Sequence, residues 1–187
     1  MKELSLNILD IAQNSVKAGA SLIGIRIKEE GNTLSFEITD DGCGMKKEQV
    51  EKLVDPFFTT RTTRKVGLGI PFLKLAAEQT GGWIDVQSKS REEFPENPGT
   101  RVYALFYKDN IDFTPMGDIV STVVSLIQGA DTIDYEFSWS NEEGTAELST
   151  KEMRQMLGDD VPLSSPEILA WAGDYLNEQL NEIKINL

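Results

Sequence analysis

The sequence predicts an α/β domain followed by an acidic region that also combines helices and strands. Apolar residues recur at helical spacing in some segments and alternate with polar residues in others, and the two kinds of segment are interspersed along the chain. Charge is the second observation, because residues 1–108 contain 15 basic and 15 acidic side chains whereas residues 109–187 contain 3 and 16. We therefore expect a boundary near residue 108, with one domain over 1–108 and a small α+β appendage over 109–187.

The composition is that of a globular protein with a hydrophobic core, with 40% hydrophobic and 26% charged residues. The single cysteine, Cys43, rules out an internal disulfide and suits a reducing compartment. The first residues lack the pattern of a signal peptide, and no apolar run is long enough to span a membrane. These features predict a cytoplasmic protein that does not bind membranes.

Histidine is absent from all 187 residues. This excludes imidazole metal ligands, Ser-His catalytic triads and a phosphohistidine formed on this chain. The net charge of −13 arises from residues 109–187, and such a region disfavours nucleic acid because it would repel the phosphates. Two interpretations of the region stay open, a solvated surface that maintains solubility and a docking surface for a basic protein partner.

Residues 2–18 are predicted to form the first helix, because Leu4, Ile8 and Ile11 recur at intervals of three and four residues. Within it, Asp10 and Asn14 are four residues apart and share one face. A carboxylate and an amide in this arrangement would orient a water molecule and complete the coordination of a hard cation. An exposed hydrogen-bonding pair without further function is the alternative.

Two predicted strands follow, over residues 21–29 and 33–40, joined by a short loop. The second strand ends at Asp40, and Gly42 and Gly44 come directly after it. Two glycines spaced by one residue let the backbone approach a flat ligand closely, while Asp40 accepts a hydrogen bond from it. An ordinary turn into a helix over 46–54 explains the same residues and stays open.

The segment 55–66 has neither a helical nor a strand period, and its threonines and basic residues suit a mobile loop over a ligand. Gly67 and Gly69 then precede a predicted helix over 70–80, whose first N–H groups would offer a phosphate site. Strands are predicted over 83–88 and 101–107, and in the acidic region a helix over 116–128, a hairpin over 132–140 and 145–149, a short helix over 149–158 and a last helix from 165.

Taken in this order, the motifs resemble the GHKL ATPases, the superfamily of gyrase, histidine kinases and MutL. The pattern is a helix with Asp/Glu-x-x-x-Asn, a strand ending in Asp-x-Gly-x-Gly, a loop with phenylalanine, Gly-x-Gly before a helix, and Gly-Thr opening a strand. The resemblance covers residues 2–108 and is strongest to the ATP-binding domain of histidine kinases, although residues 14–20 look more like MutL. It implies the Bergerat fold, a two-layer α/β sandwich with a mixed sheet that holds ATP and Mg²⁺ between helices and a lid.

The resemblance also implies a role for each matching residue. Asp40 would accept a hydrogen bond from the amino group of adenine, Gly44 would let the ring lie close, and Thr100 would support it through water. Asn14 would be the magnesium ligand and Asp10 the general base. The remaining nucleotide contacts would come from the lid and the segment after it, at Phe58, Thr59, Thr60, Arg61, Gly67, Leu68 and Gly69.

Asp10 is shorter by one methylene than the glutamate that this superfamily most often has, so slow hydrolysis is expected. The first hypothesis is an ATP-binding protein with weak ATPase activity, whose nucleotide state is sensed by a protein partner through the acidic region. One alternative is a protein kinase acting in trans, similar to the anti-sigma serine kinases. The other is an interaction or sensor module in which hydrolysis is incidental, and homodimerisation is also left open.

Overall fold

The structure, a computed structural model, describes residues 3–54, 69–158 and 161–185. The helices are α1 (Leu4–Lys17), α2 (Lys47–Val54), α3 (Gly69–Gln79), α4 (Ile119–Gly129), α5 (Thr150–Leu157) and α6 (Pro166–Glu182). The strands are β1 (Leu22–Glu30), β2 (Thr33–Asp40), β3 (Trp83–Lys89), β4 (Gly99–Tyr107), β5 (Asp134–Ser140) and β6 (Thr145–Ser149). The predicted elements are therefore confirmed, with ends that differ from the predicted ones by a few residues.

All six strands of the described residues join one mixed sheet in the order β3-β4-β2-β1-β5-β6. Four of the pairings are antiparallel, and β1 with β5 is the parallel one. Side chains alternate across a strand, so Phe36 and Ile38 on β2 face the same side as Ile25 on β1, and all three are buried. Asp40 continues this series and therefore lies on the core side of the sheet.

Helices cover the core side, with α1, α3 and α6 against the strands and α4 between α1 and α6. The opposite face of the sheet carries charged residues that form ion pairs. Arg101 bonds Glu37 at 2.6 Å and Asp85 at 3.1 Å, and Arg26 bonds Glu37 at 3.2 Å. The predicted two-layer α/β sandwich with a mixed sheet is therefore confirmed.

Strands from both sides of the predicted boundary at residue 108 pair in the same sheet. In the parallel register of β1 and β5, Ile25 lies beside Phe137. The start of α1 is also tied to the acidic region, because the Leu4 N–H donates to the Pro115 carbonyl at 2.9 Å and the Ser5 N–H to the Met116 carbonyl at 2.8 Å. These bonds satisfy helix N–H groups that have no partner within the helix. The division into two domains stays a prediction.

The interior of β5 is strongly apolar. Tyr135 and Trp139 are both almost fully buried there, and burial raises the pKa of Tyr135 to about 12.

Across the described ranges, no helix combines the length and the apolar character needed to cross a membrane.

The shared sheet leads to a prediction about unfolding. Because β5 pairs along β1 and the start of α1 is bonded to residues 115–116, the whole chain should unfold in one cooperative transition in differential scanning calorimetry. Calorimetric and van't Hoff enthalpies should agree. Two resolved transitions would instead support independent domains divided near residue 108.

Candidate functional site

A cavity of about 260 Å³ lies between α1 and the core side of the sheet, at the end of β2. Its lining includes four of the predicted site residues, Asn14, Asp40, Gly44 and Thr100. Ser15, which was not predicted, lines it as well. The rest of its lining is mostly apolar and includes Ile11, Ile38, Ile70 and Val102. An apolar cavity with a few convergent polar groups is the usual form of a small-molecule site.

Asp40 is held by two hydrogen bonds and is half-buried. The Ser15 hydroxyl donates to Asp40 Oδ2 at 2.6 Å, and the Gly42 N–H donates to Oδ1 at 2.9 Å. An ionised carboxylate can accept about four hydrogen bonds, so two sites remain for donors from a ligand. The two protein donors fix the carboxylate and leave part of its capacity open toward the cavity.

Thr100 lies directly beside Asp40 because of the strand register. The pairing of β2 with β4 sets Asp40 opposite Thr100, and the pairing of β3 with β4 sets Ser88 opposite Thr100. Ser88 Oγ lies 2.9 Å from Thr100 Oγ1 and accepts a hydrogen bond from the Met45 N–H at 2.8 Å. Directly opposite residues share one face, so a polar row of three residues crosses the end of the sheet.

Gly44 is required by the packing of the protein itself, and Gly42 is tightly packed. Gly44 has a φ of +61°, and a Cβ built on it would lie 1.9 Å from the carbonyl oxygen of Lys89. A Cβ on Gly42 would lie 3.0 Å from Asp40 Oδ1 and from Ala18 Cβ. Their predicted approach to a ligand stays a prediction, but the turn after β2 needs a glycine at position 44 in any case.

Asp10 lies against the first residue of α3. A Cβ on Gly69 would lie 1.9 Å from Asp10 Oδ2, so only glycine leaves room for the carboxylate in its present position. The N-terminus of a helix is electropositive, and the carboxylate therefore meets a favourable end of α3. Asn14, one turn further along α1, is exposed and lines the cavity.

The structure thus brings Asp10, Asn14, Asp40, Thr100 and Gly69 together around the contact of α1, α3 and the sheet. The other predicted nucleotide contacts, at Phe58, Thr59, Thr60, Arg61, Gly67 and Leu68, lie outside the described residues.

Ser15 and Ser88 are site residues that the sequence did not identify. Ser15 is buried and follows Ile11 by four residues, so it occupies a core position on α1. A buried hydroxyl requires a hydrogen-bond partner, and this requirement could have indicated a buried acceptor near Ser15. For Ser88 no signal was present, because its role depends on the register of β3 with β4.

Asp41 has a structural role that differs from that of its neighbour. It accepts hydrogen bonds from the Ser21 N–H at 2.7 Å and the Leu22 N–H at 2.9 Å, and from the Ser21 hydroxyl. Burial alone would raise the pKa of Asp41, but the bonds from Ser21 and Leu22 outweigh it and hold the pKa below its usual value. Asp41 therefore anchors the start of β1 and is not among the residues that line the cavity.

Comparison with known proteins agrees with this geometry. Residues 2–110 match the family described as histidine kinase-, DNA gyrase B-, and HSP90-like ATPase. Sporulation kinase B of Bacillus subtilis is 31% identical over 88 residues, which are 47% of this chain and 20% of the kinase. The mismatch repair endonuclease PMS2 of Mus musculus is 38% identical over 58 residues, 31% of this chain and 7% of the endonuclease. The matched segment is thus a small part of these relatives.

Among solved structures, the MutL ATPase domain of Aquifex aeolicus, complexed with ADP, has a TM-score of 0.53 and is 14% identical. The match covers 95% of this chain and 70% of the MutL domain. The N-terminal domain of a DNA repair protein has a TM-score of 0.54, with 18% identity, and the match covers 85% of this chain and 58% of that one. At these identities the likeness concerns the fold alone, and it extends over both parts of the chain.

The bond between Ser15 and Asp40 leads to a prediction about stability. Ser15→Ala removes a buried donor to a carboxylate and should lower the free energy of unfolding by about 1.5 kcal/mol in urea titration. Ser35→Ala, on β2, is the control, because that hydroxyl makes only a 3.5 Å contact with the Lys28 carbonyl of β1 and its loss should change the free energy of unfolding by about 0.5 kcal/mol or less. Equal effects of the two substitutions would show that Ser15 does not hold Asp40.

Proposed function

The chain belongs to the family of histidine kinase-, DNA gyrase B- and HSP90-like ATPases, and we propose on this basis that it binds Mg²⁺–ATP in the cavity beside Asp40 and hydrolyses it slowly. The observation that carries the proposal is the Asp40 carboxylate, fixed by Ser15 and Gly42 at the end of an apolar cavity with acceptor capacity to spare.

Adenine is the base that suits this cavity best. Its exocyclic amino group donates a hydrogen bond, which a fixed carboxylate accepts, whereas guanine has a carbonyl oxygen at that position. A base without the amino group leaves Asp40 unpaired in a partly buried site, and such sites discriminate strongly. Thr100, directly beside Asp40, supplies a hydroxyl to the same edge of the base.

The phosphates are proposed to lie between α1 and the N-terminus of α3, where helix N–H groups favour anions. Asn14 is the proposed magnesium ligand. Magnesium keeps several waters and takes further oxygens from phosphates, so a single exposed amide at the edge of the cavity fits its donor preference. The same proposal includes the nucleotide contacts that the family resemblance implies for six further residues, namely Phe58, Thr59, Thr60, Arg61, Gly67 and Leu68.

Asp10 is the proposed general base. Its carboxylate lies at the N-terminus of α3, beside the proposed phosphate position, and it would accept a proton from the attacking water. An aspartate reaches less far than a glutamate by one methylene, which supports slow turnover. A protein that retains ATP for long periods suits signalling by its nucleotide state.

The nucleotide state is proposed to be coupled to a protein partner through residues 109–187. Support comes from the packing of α4 on α1, the helix that carries Asp10 and Asn14. The start of α1 is further bonded to residues 115–116. A shift of α1 on nucleotide binding would therefore reach the acidic region directly.

We also propose that the protein is cytoplasmic and that it binds neither membranes nor nucleic acid.

Nucleotide-dependent stabilisation tests the binding site. ATP and ADP with magnesium should raise the midpoint of thermal unfolding, by an amount equivalent to about 2.7 kcal/mol at a hundredfold excess over Kd, and GTP should not. Asp40→Asn should abolish the response to ATP. Asp41→Asn is the matched control, since it should lower stability itself while leaving the preference for ATP over GTP. A wild-type protein that millimolar ATP does not stabilise would overturn the proposed function.

Turnover tests the role of Asp10. Gly69→Ala should displace the Asp10 carboxylate, because the new Cβ would lie 1.9 Å from Oδ2, and ATP hydrolysis should fall about tenfold or more while thermal stabilisation by ATP persists. A flexible side chain can give way, so unfolding should stay close to wild type. Gly129→Ala, in α4, is the control, since nothing lies within 4 Å of its Cβ position. Unchanged turnover in Gly69→Ala would contradict the assignment of Asp10.

A further inference from the structure

A second groove, of about 410 Å³, lies beside β6, at the edge of the sheet that acidic residues 109–187 contribute. Residues of β5, β6, α5 and α6 line it, together with Arg26 of β1. None of the residues assigned to the nucleotide site lines this groove. It is therefore a separate surface, and its chemistry can be examined on its own.

Two aromatic rings form a flat surface in the groove. Trp171 and Tyr175 are one turn apart on α6, and their rings stack at a centroid distance of 5.0 Å and an interplanar angle of 11°. They are 49% and 40% exposed, and Met156 on α5, which lines the same groove, is 81% exposed. Large side chains of this kind are costly to leave in water, and an exposed cluster of them marks a contact site.

Three carboxylates line the same groove as these rings. Glu136, Glu147 and Glu152 line the groove and are exposed, and within the described part of the chain none of them has a salt-bridge partner. The cation that lines the groove, Arg26, is already bonded to Glu37 on the open face of the sheet. The groove is therefore lined by three carboxylates and by one arginine that is already paired, so its carboxylates outnumber its cations.

The edge of β6 is occupied by a side chain. Gln179 Oε1 accepts from the Glu147 N–H at 3.1 Å, and Gln179 Nε2 donates to the Glu147 carbonyl at 2.8 Å. This amide takes the place that the backbone of an added strand would need. Strand pairing with β6 is therefore blocked at this residue, and a partner in the groove would have to be recognised through its side chains.

We propose that this groove binds an arginine-bearing segment of a partner protein, with the guanidinium group stacked on Trp171 and Tyr175 and paired with Glu147 and Glu152. A guanidinium is planar, stacks on aromatic faces and bonds carboxylates through a fork of N–H groups, so it matches both features of the groove. The inference rests on the proposed docking role of the acidic region, and it names the surface and the chemistry of the partner.

The test uses the full chain and short fluorescein-labelled peptides in which glycine alternates with arginine, lysine or glutamate. Fluorescence anisotropy should show binding of the arginine peptide about tenfold tighter than the lysine peptide, with weakening in high salt, and no binding of the glutamate peptide. Two variants should each weaken binding of the arginine peptide about tenfold. One is Trp171→Ala, and the other is the double variant Glu147→Gln with Glu152→Gln.

The chain offers a matched control at the other edge of the sheet. Trp83 is 50% exposed and lies 5.0 Å from the ring of Tyr103, so Trp83→Ala removes a similar aromatic pair and should change arginine binding less than about twofold. The double variant Glu48→Gln with Glu51→Gln, on α2, is the control for the two carboxylates lost in the variant of Glu147 and Glu152. Stabilisation by ATP, measured on the same samples, separates failure of the groove from failure of the nucleotide site.

Three outcomes would overturn the proposal. The first is the absence of arginine-peptide binding by wild-type protein that ATP still stabilises. The second is an equal loss of binding in Trp83→Ala and Trp171→Ala, which would indicate nonspecific attraction to an acidic protein. The third is a wild-type dimer that Trp171→Ala converts to monomer in analytical ultracentrifugation, which would mean that a second copy of the chain covers this groove.

Discussion

A carboxylate at a core-facing position is the constraint on which the proposed nucleotide site depends. On β2 the buried series Phe36 and Ile38 is continued by Asp40, so the strand period alone turns a charged group toward the helices. Such a group is stable only if donors meet it, and Ser15 from α1 and the Gly42 N–H do so. These bonds link α1 and the turn after β2 to the end of the strand. The remaining acceptor capacity of Asp40 is what a ligand would use.

The sequence was informative wherever one local period or one local motif decided the structure. The helix carrying Asp10 and Asn14 and the strand ending at Asp40 follow from hydrophobic spacing, and the family follows from the order of the motifs. Long-range register was not accessible in this way. The parallel pairing of β1 with β5, and the row of Asp40, Thr100 and Ser88, depend on contacts between distant segments.

Some residues acquired a second explanation in the folded protein. Gly44 was singled out for its approach to a ligand, yet the carbonyl of Lys89 already leaves no room for a Cβ there. Gly69 was assigned to phosphate contact, and its packing against Asp10 gives it a further role. A motif residue can therefore be required by the fold and by the ligand at once, and sequence alone does not separate the two requirements.

The central proposal is that Asp40 recognises the amino group of adenine. Isothermal titration of wild type and Asp40→Asn with ATP and with inosine triphosphate, which has a carbonyl oxygen in place of that amino group, tests it most directly. For wild type, inosine triphosphate should bind about a hundredfold or more weakly than ATP, and Asp40→Asn should remove most of this difference. If wild type bound both nucleotides equally, or if Asp40→Asn weakened both to the same extent, Asp40 would not be the adenine-recognising group.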